Sequence, residues 1–139
     1  MKFYGMQKLS LLDFPGKMCA TVFTGGCNYR CPFCHNSSLV EAERLCGGQT
    51  IDGEEVIRFL RRREGILEGI AITGGEPTLW SEQLVSFIRK VKEQTDMLVK
   101  LDTNGTHPDV LRECIAAGID YVAMDIKSSE ERYHIVAGH

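Results

Sequence analysis

Cys27-Asn28-Tyr29-Arg30-Cys31-Pro32-Phe33-Cys34 constrains this chain more than any other stretch. It places three cysteines at CxxxCxxC spacing, directly after a strand-like run, Cys19-Ala20-Thr21-Val22-Phe23-Thr24. Thiolates are soft ligands, and three this close can hold one iron–sulfur cluster or one soft metal ion. A cubane cluster has four irons, so three protein thiolates leave one iron open to an outside ligand. Gly25-Gly26, between the strand and the first cysteine, lets backbone approach a bulky group closely.

Six cysteines in 139 residues could instead suggest disulfides. The opening, Met1-Lys2-Phe3-Tyr4-Gly5-Met6-Gln7-Lys8, lacks the apolar stretch of a secretory signal. Reduced thiols and a cytoplasmic location are therefore expected. Cys19, Cys46 and Cys114 stand singly, so one metal centre at most is expected. No run of about 18 apolar residues exists, and no membrane span is expected. The net charge of −3 gives no bulk attraction for nucleic acid or anionic membrane. A hydrophobic content of 43% fits one globular domain with a real core.

Strand-like and helical stretches alternate, which predicts an α/β fold. Residues 18–24, 66–73, 97–102 and 119–126 read as four strands. The apolar run from Ile66 suits a strand buried on both faces, as in parallel sheets. Asp52 with Glu55 has the pattern of a capping box, before a helix with Val56, Ile57 and Leu60 on one face. Arg61-Arg62-Arg63 closes that helix as a solvated basic turn. Ser81 is expected to cap a helix carrying Leu84, Ile88 and Val91, with Trp80 stapled to Val85. Pro108 opens a helix whose core face is Val110, Leu111, Cys114 and Ile115, and Gly118 ends it. Cys114 reads as a small buried apolar residue. A short helix around Leu39–Arg44 and another from Ser128 or Ser129 complete the pattern. Asp13, just before the turn at Pro15-Gly16, has two readings: turn chemistry, or a contact in the mouth of a site. Four strand–helix units imply parallel strands joined by right-handed crossovers.

In parallel β/α architectures ligands sit at the carboxyl ends of the strands. Every unusual group falls there. The first strand leads to the three cysteines, and the second to Thr73-Gly74-Gly75-Glu76. The third ends at Asp102-Thr103-Asn104, and the fourth at Asp125 and Lys127. Gly74 and Gly75 leave room for close backbone hydrogen bonds. Glu76 offers a carboxylate to an ammonium group. Asp102 and Asn104 can take ribose hydroxyls or a cationic centre, and Lys127 a carboxylate or carbonyl. A ligand with an α-amino acid end and a nucleoside end satisfies this set. S-adenosylmethionine is such a ligand, and its amino and carboxylate groups could chelate the open iron.

With these motifs the chain resembles the radical S-adenosylmethionine family over essentially its whole length. Phe33 is the aromatic residue before the third cysteine, and Gly74-Gly75-Glu76 is similar to the family's segment for the methionine amino group. Cys34-His35-Asn36, Leu101-Asp102-Thr103-Asn104-Gly105 and Met124-Asp125-Ile126-Lys127 resemble glycyl-radical-enzyme activases. The opening, Gly5-Met6-Gln7-Lys8 through Asp13-Phe14-Pro15-Gly16, looks like those that serve anaerobic ribonucleoside-triphosphate reductase. Activases of pyruvate formate-lyase-type enzymes share the later motifs. The resemblance implies Cys27, Cys31 and Cys34 as ligands of a 4Fe-4S cluster. It implies Gly75, Glu76, Asp102 and Lys127 near S-adenosylmethionine, and an acidic residue near Asp13 facing the substrate glycine. It also implies a monovalent cation at Asp102, Thr103 and Asp125. The implied activity is reductive cleavage of S-adenosylmethionine, followed by formation of a glycyl radical on a partner enzyme. Flavodoxin or ferredoxin is the implied electron donor. About four β/α units can be counted, fewer than the family's partial barrel has. Residues 1–139 are thus expected to be the N-terminal portion of a partial (β/α) barrel, with an open edge at the fourth strand.

Other readings compete. Cys27, Cys31, Cys34 and His35 make a nominal zinc set. Adjacent Cys34 and His35 would aim poorly at one tetrahedral ion, and zinc leaves the strand-end residues unexplained; His35 is read as shaping the cluster's surroundings. A catalytically silent relative that docks a partner is a second alternative. A radical enzyme acting on a small nucleoside or a peptide is a third.

Overall fold

The computed structural model describes residues 1–27 and 49–124. Apolar runs become the strands of one sheet, and the amphipathic stretches between them become its helices. In order these are β1 (Lys2–Phe3), β2 (Gly5–Ser10), β3 (Cys19–Thr24), β4 (Ile51–Asp52), α1 (Gly53–Arg62) and β5 (Gly69–Gly74). A short 3-10 turn (Pro77–Trp80), α2 (Glu82–Gln94), β6 (Leu98–Thr103), α3 (Pro108–Ala117) and β7 (Tyr121–Met124) follow. The main sheet has the order β2-β3-β5-β6-β7. Its last four strands are parallel, as the β/α alternation requires. β2 adds an antiparallel edge on β3, and β1 pairs separately with β4.

Register divides the sheet into two faces. Ala20 aligns with Ile70 and Val99, and Val22 with Ile72 and Leu101. This outer face packs under Val56, Ile57 and Leu60 of α1, Leu84, Ile88 and Val91 of α2, and Cys114 of α3. The alternate residues form an inner face with rows Cys19–Gly69–Leu98 and Thr21–Ala71–Lys100–Tyr121. The segment after β2 folds over this face and lays Phe14 on Cys19 and Ala71.

Several local expectations change. The edge strand β2 was not foreseen. The strand expected at 66–73 begins at Gly69, because Arg63's carbonyl takes the amides of both Ile66 and Leu67 in a turn. Ile66 is left 61% exposed. Asp52 caps α1 through the amide of Glu54, at 3.1 Å. Ser81 makes no side-chain cap: the 3-10 turn before it brings the chain in at φ 47°. On α3, Cys114 is fully buried and Val110 and Leu111 half-buried, but Ile115 is 53% exposed and leaves the expected core face. The expected helices at 39–44 and from 128 or 129, and Cys46, lie outside the described residues. Among the described residues, no helix is long and apolar enough to cross a membrane.

Candidate active site at the carboxyl ends of the strands

Two glycine pairs join the ends of β3 and β5. Gly75 donates its amide to the Thr24 carbonyl at 3.0 Å, and Glu76 donates to the Gly26 carbonyl at 2.7 Å. A Cβ on Gly75 would fall 1.9 Å from the Gly26 oxygen, and one on Gly74, at φ 121°, 2.3 Å from the Thr24 nitrogen. Glycine is needed here because backbone lies on backbone. Among the described residues, the room that Gly74 and Gly75 leave for close backbone hydrogen bonds is used by Thr24 and Gly26. The segment preceding the cysteines is thereby fixed to the segment preceding Glu76. Trp80 Nε1 adds a bond to the Gly25 carbonyl at 3.1 Å, and Thr24 Oγ1 donates to the Thr73 carbonyl at 3.2 Å.

Glu76 is 1% exposed, and both its carboxylate oxygens accept hydrogen bonds. Oε1 accepts from the Thr78 amide at 3.2 Å, the Thr78 hydroxyl at 2.6 Å and the Thr103 hydroxyl at 2.6 Å. Oε2 accepts from the Asn104 amide at 2.7 Å. A buried carboxylate is tolerated only with such a shell of donors. Its described partners lie in the 3-10 turn and at the end of β6. What Glu76 does directly is hold Thr103 and Asn104, the latter beside Cys27. Asn104 Nδ2 then donates toward Cys27 Sγ at 4.0 Å, and Asn104 Oδ1 takes the Thr106 amide at 3.1 Å and hydroxyl at 2.7 Å.

His107 joins the same network and was not singled out in the sequence. Its Nδ1 is 3.2 Å from both the Thr78 and the Thr106 hydroxyls. Each hydroxyl has one proton, and those protons go to Glu76 and Asn104 respectively. Both oxygens are thus acceptors toward the ring, which places the imidazole proton on Nδ1. Thr78 was missed as well, although a threonine two residues after an acid is a recognisable local turn signal.

Asp102 lies on the inner face, its Oδ1 2.9 Å from Lys100 Nζ. Asp13 sits deeper than the mouth of the strands, at the level of Thr21. Its Oδ2 accepts from the Thr21 hydroxyl at 2.7 Å, its amide donates to Ser10 Oγ at 3.2 Å, and its carbonyl takes Lys100 Nζ. Burial pushes the nearby Cys19 thiol up, and the Asp13 charge adds to this; the Thr21 hydrogen bond and Lys100 oppose it. Cys19 is accordingly a neutral core thiol.

The structure therefore brings Cys27, Gly74, Gly75, Glu76, Thr103 and Asn104 together, with Thr73 and Asp102 at the adjacent strand ends. Cys31, Cys34, His35, Asp125 and Lys127 lie outside the described residues. Among the described residues no group of three metal-ligating side chains assembles. The donor chemistry suits a cluster at one corner: the Cys27 thiol is reached by an amide N–H and follows a segment braced by backbone contacts.

The Radical SAM superfamily model matches residues 21–138. A protein of Methanocaldococcus jannaschii, provisionally named a glycyl-radical enzyme activating enzyme, is 42% identical over 134 residues, covering 93% of this chain and 51% of that protein. The pyruvate formate-lyase-activating enzyme of Clostridium pasteurianum is 27% identical over 99% of this chain and 57% of its own length. A 7-carboxy-7-deazaguanine synthase of Hyperthermus butylicus is 35% identical over 72% of this chain and 40% of its own. The chain spans about half the length of the first two of these relatives. With the match running from mid-β3 through the cysteine loop and all the strand ends described above, the chain belongs to the radical SAM superfamily.

Proposed function

We propose that this chain binds a 4Fe-4S cluster through Cys27, Cys31 and Cys34, and binds S-adenosylmethionine across the ends of β5, β6 and β7. Thr73, Gly74, Gly75, Glu76, Asp102, Asn104 and Lys127 form that second part. Its task is to install a glycyl radical on a partner enzyme, of which anaerobic ribonucleoside-triphosphate reductase is our first choice. The observation that carries the reading is the joint in which Gly75 rests on Gly26 while Asn104 reaches Cys27. It fixes the start of the cysteine loop to the strand ends that would hold the cosubstrate.

When bound, cluster and cosubstrate supply one-electron cleavage of the sulfonium and abstraction of a hydrogen atom from the partner's glycine. The residues of this chain bind and orient. Glu76 fixes the loop after β6. Asn104 places an N–H near a thiolate sulfur, where hydrogen bonding tunes an iron–sulfur centre. The names of two relatives support a glycyl-radical-enzyme partner, whereas anaerobic ribonucleoside-triphosphate reductase and flavodoxin or ferredoxin as electron donor rest on the resemblance alone.

The test is electron paramagnetic resonance of anaerobically reconstituted, dithionite-reduced protein, with and without S-adenosylmethionine. A reduced 4Fe-4S signal that changes on adding S-adenosylmethionine supports the reading. A signal indifferent to it, or zinc in place of iron, overturns it. A glycyl-radical doublet on the ribonucleotide reductase, against none on a pyruvate formate-lyase-type enzyme, then decides the partner.

A further inference from the structure

His107 stands at the head of α3, where a side chain usually caps a helix, yet it makes no side-chain cap bond. Its ring is engaged elsewhere. Nδ1 lies 3.2 Å from the hydroxyl of its neighbour Thr106, and 3.2 Å from that of Thr78, 29 residues earlier in the chain. Capping alone would not take the ring across to another segment.

Two branches leave the ring, and they meet at one residue. Along the first, the Thr78 hydroxyl donates to Glu76 Oε1 at 2.6 Å, and Glu76 Oε2 accepts the Asn104 backbone amide at 2.7 Å. Along the second, the Thr106 hydroxyl donates to Asn104 Oδ1 at 2.7 Å, and the Thr106 amide donates to the same oxygen at 3.1 Å. A backbone N–H only donates, so the Asn104 atom it meets is the oxygen. The side-chain NH₂ therefore faces Cys27, with Nδ2 4.0 Å from Sγ. One branch holds the main chain of Asn104 and the other holds its side chain. Hydrogen bonds in series polarise one another, so donors on Oδ1 make the N–H of the same amide a better donor.

We infer that His107 is a positioning residue for the centre proposed at Cys27. Its ring proton, shared between two threonine hydroxyls, directs the Thr78 proton to Glu76 and the Thr106 proton to Asn104 Oδ1. Asn104 is thereby held with a polarised N–H toward Cys27. The effect on a cluster rests on the reading of Cys27 as a ligand, whereas the arrangement of protons does not. Hydrogen bonds to the sulfurs help set the potential of an iron–sulfur centre, and they favour its reduced, more negative state.

The natural chain, His107→Leu and His107→Asn test this. Asparagine can place an NH₂ where Nδ1 stands, and leucine has no donor. In the cluster-free protein, long-range proton–nitrogen NMR in mildly alkaline buffer should find the natural ring's proton on Nδ1. The Asn104 side-chain amide signal should move in His107→Leu and return toward its natural position in His107→Asn. In reconstituted samples of equal iron content, the midpoint potential should be lower in His107→Leu and recover in His107→Asn. A ring that carries its proton on Nε2 alone overturns the inference. So does one potential for all three chains, or a loss that asparagine does not restore, as a purely structural ring would give. Should His107→Leu fail to fold, the position of the ring proton in the natural chain decides alone. Should no cluster assemble on the natural chain, the proposed function fails, and the NMR result still decides for or against His107.

Discussion

On the outer face of the sheet, β3, β5 and β6 contribute Ala20, Val22, Ile70, Ile72, Val99 and Leu101, each with no exposure to solvent. On the inner face the same strands contribute Cys19, Thr21, Ala71, Lys100 and Asp102. One face is closed by helices through non-directional burial. The other is covered by the Ser10–Phe14 segment, and its polar groups are joined by directed contacts: Thr21 to Asp13, and Lys100 to Asp13 and Asp102. A strand of period two can serve both needs because successive side chains never share a face. Stability is thus concentrated on one side of the sheet, and polar chemistry on the other side and at its carboxyl edge.

Two leucines of β6 break or sharpen that contrast most directly. Leu101→Ala removes a fully buried outer side chain and should cost about 3–5 kcal/mol in urea unfolding. Leu98→Ala, half-buried on the inner side, should cost roughly 1–2 kcal/mol. Equal losses would mean that the two faces carry the fold alike.

Gly75→Ala comes next. Its methyl cannot fit 1.9 Å from the Gly26 carbonyl, so the backbones must part, at about 3 kcal/mol. Iron bound after reconstitution should fall more steeply than stability, because the cysteine loop loses its anchor. Full iron with unchanged stability would show the joint to be dispensable.

Glu76→Gln is smaller. One of the positions that now accept N–H or O–H groups would present an NH₂, leaving a donor unpaired at about 2 kcal/mol. Unlike Leu101→Ala, it should alter the reduced-cluster spectrum, through Asn104. An unaltered spectrum would detach Glu76 from the site.

The smallest effect belongs to Cys114, on the outer side. Burial, with Glu113 adding, pushes its thiol up to about 11 from 9.0. The folded state therefore holds this proton longer than the unfolded chain does. The stability linked to the thiol is complete below about pH 9 and is lost as pH rises toward about 11. Cys114→Ala should cost about 1 kcal/mol at neutral pH, and its melting temperature should fall less over that alkaline range than that of the natural chain. Parallel curves would show that Cys114 does not titrate as the buried thiol described here.

The outer face was legible because periodicity reports burial: Val56, Leu60, Leu84, Ile88 and Val91 repeat at helical spacing and all are buried. The strand ends were legible because glycine, acid and amide residues interrupt apolar runs there. β2 was not legible: Gly5-Met6-Gln7-Lys8-Leu9-Ser10 has no clean alternation, and it is a strand only because β3 offers it an edge. Ser81 misled because a serine before a helix signals a cap, whereas the entry angle was set upstream by Pro77 and the Glu76–Thr78 bond. Lys100 was not singled out, since its partner Asp13 is 87 residues away. Glu76 was placed at the site, but the hydroxyls that hold it were not foreseen, because Thr78 and Thr103 come from two different segments.

The joint between Gly26 and Gly75 has a genetic consequence. It is made wholly of main chain, so no side chain elsewhere can be trimmed to make room for a new one at position 75. Gly26 cannot yield either, since it already has no side chain and holds φ 82°. Most packing faults admit a compensating change at a neighbour. This one offers none, and a screen for second-site suppressors of Gly75→Ala should return only reversions to glycine.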